Sequence, residues 1–233
     1  MIQSAFQAFF FDFDGVIVDS VDVKTVAFAR MFEPFGPEVV AKVVEHHRLH
    51  GGMNRMQKFL YYYKDFLSKS LDNVELDDLC RQFSSFVMNE VISAPEILGA
   101  QAFLEKCYKE IPCFIVSATP QDELREIVER RRLMHYFREI RGAPADKCKH
   151  LGDILNSYAF KPESCLYFGD AYSDYEAART CSVFFWGILP GPDAPLFSQL
   201  GHPIVWSKNF CDDRLCLTGP LQFSHNPNGY PVR

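Results

Sequence analysis

Ala5 to Phe11 is apolar at every position except Gln7, and the run ends abruptly in Asp12-Phe13-Asp14-Gly15. A strand with one wet face alternates apolar and polar residues. An almost continuous apolar run belongs to a strand covered on both faces. A chain that opens this way needs helices above and below its sheet. Similar short runs recur at Cys113 to Val116, Phe137 to Ile140, Cys165 to Phe168, Val183 to Ile188 and Pro203 to Trp206. Helical spacing lies between them. From Glu123 to Leu133, the residues Leu124, Ile127, Val128 and Arg131 share a face, with Asp122 and Glu123 suited to the positive helix start. This alternation predicts an α/β fold with a doubly wound parallel sheet.

One interval breaks the rhythm. Between Val21 and about Val91 no strand is read, whereas helical stripes are frequent: Met56, Phe59, Leu60, Tyr63 and Leu67 make one, and Leu76, Leu79, Cys80, Phe83 and Val87 another. The expected organisation is a core of residues 1–20 and 92–233 with a small all-α domain, residues 21–91, inserted after the first strand. Ser93-Ala94-Pro95 reads as the start of the returning helix, with Pro in its first turn. The segment from Ser207 to Arg233 offers no usable periodicity.

Composition narrows the function classes. Of the 233 residues 48% are hydrophobic and 23% charged, which supports a real core. The net charge of −6 lacks the basic footprint of a general nucleic-acid binder. No apolar run approaches the ~20 residues of a membrane span. The first residues have no basic stretch and do not read as a signal peptide. Eight cysteines without paired spacing fit a reducing compartment, so a cytoplasmic location is expected.

Open parallel sheets place their sites at the carboxyl ends of the strands. Here those ends carry Asp12 and Asp14, then Ser117-Ala118-Thr119, then Gly142-Ala143-Pro144 leading to Lys147 and Lys149, then Gly169-Asp170 with Ser173 and Asp174. Singly, each is explained by helix capping or a solvated lysine. Together, Asp12, Asp14, Asp170 and Asp174 gather negative charge that only protons, lysine or a metal cation can offset. An all-oxygen site with few protein ligands suits Mg²⁺. Asp12 can then attack phosphorus, and Asp14, two residues on and on the same side, can exchange a proton with the leaving oxygen. Ser117 and the backbone N–H groups beyond it, Ala118 included, can cradle phosphoryl oxygens. Lys147 is preferred to Lys149 because it shares the stripe of Leu151 and Ile154, whereas Lys149 faces Asp153 and Asn156.

With DFDGVIVDS at 12–20, VSATP around Ser117, Lys147 after GAP and GDAYSD at 169–174, the chain resembles the haloacid-dehalogenase superfamily of phosphatases. The four motifs occur in order over residues 6 to 190. The resemblance implies a Rossmann-like core with a helical cap, similar to the phosphoglycolate phosphatase and β-phosphoglucomutase branch. It implies Asp12 as the nucleophile that becomes an aspartyl-phosphate and Asp14 as general acid/base. Mg²⁺ would be held by the Asp12 carboxylate, the Asp14 backbone carbonyl and Asp170, with Asp174 in support. Ser117 and Lys147 would bind the phosphoryl group. Two departures stand out: Ala143 occupies the place before Pro where many relatives have the lysine, and the residues beyond Phe210 match nothing. True dehalogenases and phosphonate-cleaving relatives lack the second carboxylate, so Asp14 points to phosphoryl transfer.

The polar stretch from His46 to Phe59 is the expected specificity segment of the cap. Gly51 and Gly52 allow close backbone approach, while Arg55 and Lys58 offer cations to a substrate. A solvated basic helix start explains the same residues without a ligand. Zinc at His46, His47 and His50 is not expected from their spacing, nor at Cys211, Cys216, His202 and His225. The reading is a Mg²⁺-dependent phosphomonoester hydrolase for a small phosphorylated metabolite, a sugar or sugar-acid phosphate. No nucleic-acid, membrane or protein partner is expected. A β-phosphoglucomutase-like phosphosugar mutase is the first alternative and a non-catalytic phospho-acceptor switch the second.

Overall fold

The computed structural model describes residues 6–215, together with the backbone of 224–225 and 231–232. Six parallel strands form one sheet: β1 (Ala8–Phe11), β2 (Cys113–Pro120), β3 (Phe137–Ala143), β4 (Cys165–Gly169), β5 (Phe184–Ile188) and β6 (Trp206–Ser207), in the order β3-β2-β1-β4-β5-β6. The buried run read from the sequence is the central strand, paired in parallel with β2 on one side and β4 on the other. All four of its residues are fully buried. Phe9 and Phe11 point to one face, against Phe103 and Phe168. Phe10 points to the other, stacked on Phe114 at 5.2 Å between ring centroids. The period of two therefore feeds two separate cores.

Helices cover both faces. On the Phe9 side lie α5 (Ala100–Cys107) and α6 (Gln121–Arg130); on the Phe10 side lie α7 (Lys147–Tyr158) and α8 (Tyr172–Thr180). Strands 1 to 3 are laid down in one direction from β1 and strands 4 to 6 in the other. The order reverses between β1 and β4, where a crevice opens at the carboxyl ends. Phe210, beyond the last core strand, packs on Phe103, Phe168 and Phe11, so part of the chain without periodicity is folded against the sheet. Strands Ser224–His225 (β7) and Pro231–Val232 (β8) form a separate antiparallel pair.

The insert is helical throughout: α1 (Val21–Phe32), α2 (Pro37–Leu49), α3 (Arg55–Tyr61) running into a π-turn at Tyr62–Phe66, and α4 (Asn73–Ser93). Asp72 and Glu75 close a capping box at the start of α4. Its core is aromatic: Phe28, Phe32, Phe59, Tyr62 and Phe83 meet at ring distances of 4.4–6.3 Å. The stripe of α4 is as read, with Leu76, Phe83 and Val87 buried. That of α3 is displaced. Met56 and Leu60 are exposed, and the inward face is Arg55, Lys58, Phe59 and Tyr62, at i, i+3, i+4 and i+7. Two of those four are cations, which hydropathy assigns to solvent, so the apolar pattern pointed to the wrong side of the helix.

The return to the sheet also differs from expectation. Pro95 does not open a helix. The chain after α4 runs beside the outgoing segment, with Asp19 N–H donating to Pro95 C=O at 2.9 Å and Ile97 N–H to Ile17 C=O at 3.0 Å. Gly99, in the left-handed region at φ 81°, then starts α5. Arg131, just past α6, ties this junction: its Nη1 donates to Val91, Ile92 and Ala94 C=O at 3.0, 2.7 and 2.8 Å. Those carbonyls end α4 and have no helical partner of their own. Arg131→Met should lower the stability by about 1–3 kcal/mol, read as a shifted urea midpoint at unchanged slope. An unshifted midpoint would remove Arg131 from this capping role.

Candidate active site

Asp12 follows the last residue of β1 and Asp170 the last residue of β4, so the crevice brings together carboxylates 158 positions apart in the chain. With Asp174, in the first turn of α8, they form a cluster whose carboxylate oxygens lie within 4.8 Å of one another. Lys147, at the start of α7, bridges two of them: its Nζ is 2.6 Å from Asp12 Oδ2 and 2.6 Å from Asp174 Oδ1. All three groups are buried. Asp174 is further held by the Tyr167 hydroxyl at 3.0 Å and by Ala171 N–H at 3.1 Å, so the fold satisfies both of its oxygens. Asp146 caps α7 by accepting from Lys149 N–H, which fixes the helix start and turns Lys147 inward. Lys149 lies on the exposed side and pairs with Asp153 at 2.7 Å.

Asp14 belongs to a second network. Its carboxylate accepts from Ser20 Oγ at 2.6 Å, from Thr119 Oγ1 at 2.9 Å and from the Lys24 ammonium. Lys24 in turn donates to Thr119 Oγ1 at 2.9 Å. The two networks differ in charge balance. Burial would raise the pKa of Asp14, but Lys24 with the Ser20 and Thr119 hydroxyls more than offsets it and holds the carboxyl below its usual range. Burial pushes Asp12 up to about 6, Asp174 and Asp14 adding to the rise and Lys147 opposing it. For Asp170, burial and then Asp174 and Asp12 raise the carboxyl well above its ordinary value, and no cation pairs with it among the described residues.

The uncompensated carboxylate is the feature a hard divalent cation would answer, since oxygen ligands at this spacing suit such an ion. Gly15 keeps the space beside it open: at φ 77° a Cβ there would fall 2.3 Å from Asp170 Oδ2. Asp12, Asp170 and Asp174 thus fit a cation site. The Asp14 side chain lies outside that cluster.

Ser117 is buried in β2, its Oγ accepting from Thr119 N–H at 3.2 Å. Ser117, Ala118 and Thr119 line a small cavity of about 50 Å³ together with Asp12, Asp14 and Asp170. Its roof comes from the insert: Lys24, Phe28, His47, Gly51, Gly52, Arg55 and Lys58. Gly52 is pressed against the α8 loop, where a Cβ would meet Ser173 Oγ at 1.6 Å. The close approach that glycine permits here is between insert and core.

Arg55 has a partner that sequence reasoning missed. It donates to Glu123 Oε1 and to Ser84 Oγ, both at 2.6 Å, and lies over the Phe83 ring at 4.6 Å. Ser84 also donates to Glu123 at 2.8 Å. This buried pair joins α3 of the insert to the first turn of α6 in the core. Lys24 was missed as well; it lies ten residues after Asp14, on the inner face of α1, whereas His47 falls within the expected segment of the insert. Among the described residues, the acidic cluster is the one group arranged to hold a metal, and His46, His47 and His50 form none. His202 faces Tyr175, 2.9 Å from its hydroxyl, and Cys211 is exposed. Cys216 and the His225 side chain lie outside the described residues.

The model of the haloacid dehalogenase-like hydrolases matches residues 9–188, well over half of the chain. The chain belongs to that family. No curated protein sequence matches it. Solved structures similar to it include a haloacid dehalogenase-like family hydrolase from Streptococcus pneumoniae (20% identity over 87% of this chain and 93% of that one, TM-score 0.65). Others are a predicted phosphoglycolate phosphatase from Haemophilus somnus (18%, 90% and 97%, TM-score 0.69) and β-phosphoglucomutase from Clostridium difficile (18%, 88% and 91%, TM-score 0.70). At these identities the likeness is one of fold. Among the described residues, no helix is long and apolar enough to cross a membrane.

Two measurements check the electrostatics of this family member. Because the folded pKa of Asp12 is raised, the folded state holds that proton more tightly than the unfolded chain between about pH 4 and pH 6. In chelator, the stability of Asp12→Asn relative to wild type should therefore rise as pH rises through that window; a flat difference would contradict the raised value. Lys149→Ala should change stability by less than about 0.5 kcal/mol, whereas Lys147→Ala, leaving two buried carboxylates without their cation, should cost about 3–5 kcal/mol. Equal losses in urea unfolding would show that Lys147 does not neutralise the pair.

Proposed function

We propose that this hydrolase is a Mg²⁺-dependent phosphomonoesterase acting on a small phosphorylated metabolite through a phosphoaspartate at Asp12. The observation that carries the reading is one cavity containing two differently balanced carboxylates beside Ser117 and Thr119. Asp12 stands in the acidic cluster and Asp14 in the Lys24 network. Asp12 attacks phosphorus as the ester P–O bond breaks, and the leaving oxygen takes a proton from Asp14. Water then attacks the phosphoaspartate, loses its proton to Asp14 and releases inorganic phosphate. The network of Ser20, Lys24 and Thr119 orients Asp14 for both transfers and favours its ionised form, the one needed to activate water; the proton it gives to the leaving oxygen is one it first takes up from a phosphate ester bound as its monoanion.

Lys147 and the Ser117 hydroxyl, with the N–H groups of Ala118 and Thr119, are the donors available to phosphoryl oxygens. Asp12, Asp170 and the Asp14 backbone carbonyl would hold the cation, with Asp174 acting chiefly through Lys147. Bound there, Mg²⁺ would screen the repulsion between Asp12 and a phosphate dianion. The helical residues 21–91 serve in this reading as the cap that admits the leaving group. Gly51 and Gly52 let the cap loop meet the core, and Arg55 and Lys58 supply charge at its inner face.

A screen of phosphorylated metabolites and p-nitrophenyl phosphate, read as released phosphate, tests the proposal. Asp12→Asn should lose activity by a factor on the order of 10³ or more, and chelation should abolish turnover until Mg²⁺ is returned. Turnover that survives the Asn substitution rules out the covalent route; isomer formation primed by a bisphosphate, without phosphate release, would establish the mutase instead.

A further inference from the structure

Two thiols meet beside the lysine of the site. Cys148 is the second residue of α7, next to Lys147, and Cys181 closes the end of α8. They are 33 positions apart in the chain, yet their Sγ atoms lie 3.7 Å from one another. Cys181 Sγ also donates to Cys148 C=O at 3.5 Å, so its side chain already faces the start of α7. Both are free thiols and partly exposed. Cys148 lines the groove of about 600 Å³ between the glycine loop of the insert and the start of α7, a groove that Lys147 lines too and Cys181 does not. A second pair supplies the contrast. Cys107 and Cys113 have the same 3.7 Å separation, but they are 1% and 0% exposed, inside the core beneath α5. With equal separation and unequal access, Cys148 and Cys181 are the pair that a dissolved oxidant reaches.

We infer that Cys148 and Cys181 are a modification site for small disulfides such as oxidised glutathione, which joins them reversibly and slows turnover by drawing Lys147 away from Asp12 and Asp174. The effect on turnover rests on the phosphatase reading; the bond itself does not. Cys148, reached from the groove, gives its proton to water and attacks one glutathione sulfur. The S–S bond of the reagent breaks, and the first glutathione leaves as a thiolate that takes up a proton. Burial, then the hydrogen bond with Cys148, pushes the Cys181 thiol up to about 12, which suits it to the second step rather than the first. Cys181 loses its proton and attacks the Cys148 sulfur; the mixed disulfide breaks and the second glutathione leaves. The protein loses two electrons and two protons, and the reagent becomes two thiols. Sulfurs in a disulfide are about 2.05 Å apart, so the bond pulls the first turn of α7 and the end of α8 together. Lys147 sits in that turn, with its Nζ 2.6 Å from both Asp12 and Asp174. A shift of about 1 Å in such a group can cost on the order of 10²-fold in rate.

The test incubates the reduced protein with oxidised glutathione and maps its crosslinks by mass spectrometry of a non-reduced digest. The expected product joins Cys148 to Cys181 and leaves Cys107 and Cys113 free for alkylation after unfolding. Turnover of p-nitrophenyl phosphate with Mg²⁺ should fall by about tenfold or more and return with dithiothreitol. Cys148→Ala should keep its turnover in the oxidant. Cys181→Ala should stop at the glutathione adduct on Cys148 and lose less turnover than wild type; an equal loss would assign the effect to the adduct and overturn the disulfide. Inorganic phosphate, titrated calorimetrically with Mg²⁺, reports on Lys147 without turnover. Oxidised wild type should bind it about tenfold more weakly, the loss of one charge-assisted hydrogen bond. No crosslink, a crosslink confined to Cys107 and Cys113, or a Cys148–Cys181 bond that changes neither turnover nor phosphate binding overturns the inference. Reduced protein that hydrolyses no ester removes only the phosphatase reading, and the crosslink map with the phosphate titration then decides this one.

Discussion

Four carboxylates are held at one end of a sheet whose other surfaces are apolar, and their mutual repulsion governs how the rest of the molecule is arranged. Each pair of like charges at this spacing in a buried setting is unfavourable unless a cation or proton intervenes. The fold answers in three ways. Lys147 is shared between Asp12 and Asp174, and Lys24 with two hydroxyls is assigned to Asp14. Asp170 is left to burial and its neighbours, which drive its carboxyl toward the protonated form. The sequence of the sheet permits this because the residues preceding the acids are wholly buried. Strand β1 cannot slide to relieve the crowding without moving Phe9, Phe10 and Phe11 out of two packed cores at once.

The residues on the strand ends were legible in the sequence because their positions are set locally. A buried strand that stops at Asp12 places that side chain at the crevice whatever the rest of the chain does. The choice of Lys147 over Lys149 followed in the same way from the helical phase shared with Leu151 and Ile154, and Asp146 at the cap fixes that phase. The inward face of α3 was not legible. Arg55, Lys58, Phe59 and Tyr62 have ideal helical spacing, and Asn54 caps the helix by accepting from Gln57 N–H at 3.0 Å. The stripe was nevertheless placed on Met56 and Leu60, since apolar periodicity treats every Arg and Lys as solvated. Counting spacing from the cap residue, with charge ignored, is the signal that would have found it. The partners Glu123 and Ser84 lie 68 and 29 residues from Arg55, and no local rule relates them.

That long-range pair has consequences for the insert. A buried arginine–glutamate contact adds little net stability compared with an apolar contact, but breaking it by separating the partners is expensive. Together with Gly52 against Ser173 and the antiparallel pairing of the two connecting segments, it favours the closed arrangement of insert and core before any substrate arrives. Opening must therefore expose Arg55 and Glu123 together, which restores water to both and makes the step less costly than removing either side chain would suggest.

Among the described residues, Lys58 and Asp170 are the two charges lining the cavity without a salt bridge. They are of opposite sign, and Asp170 raises the otherwise depressed pKa of Lys58, so each senses the other across the space between roof and floor. Bringing them into contact would have been the cheaper arrangement for a protein that needed only to be stable. The cavity instead keeps a lone acid at the floor and a lone base at the roof, each shifted toward neutrality by burial. Local rules of charge pairing are broken here in two places, and both places face the same small volume, which is the pattern expected where a fold holds stability in reserve for binding.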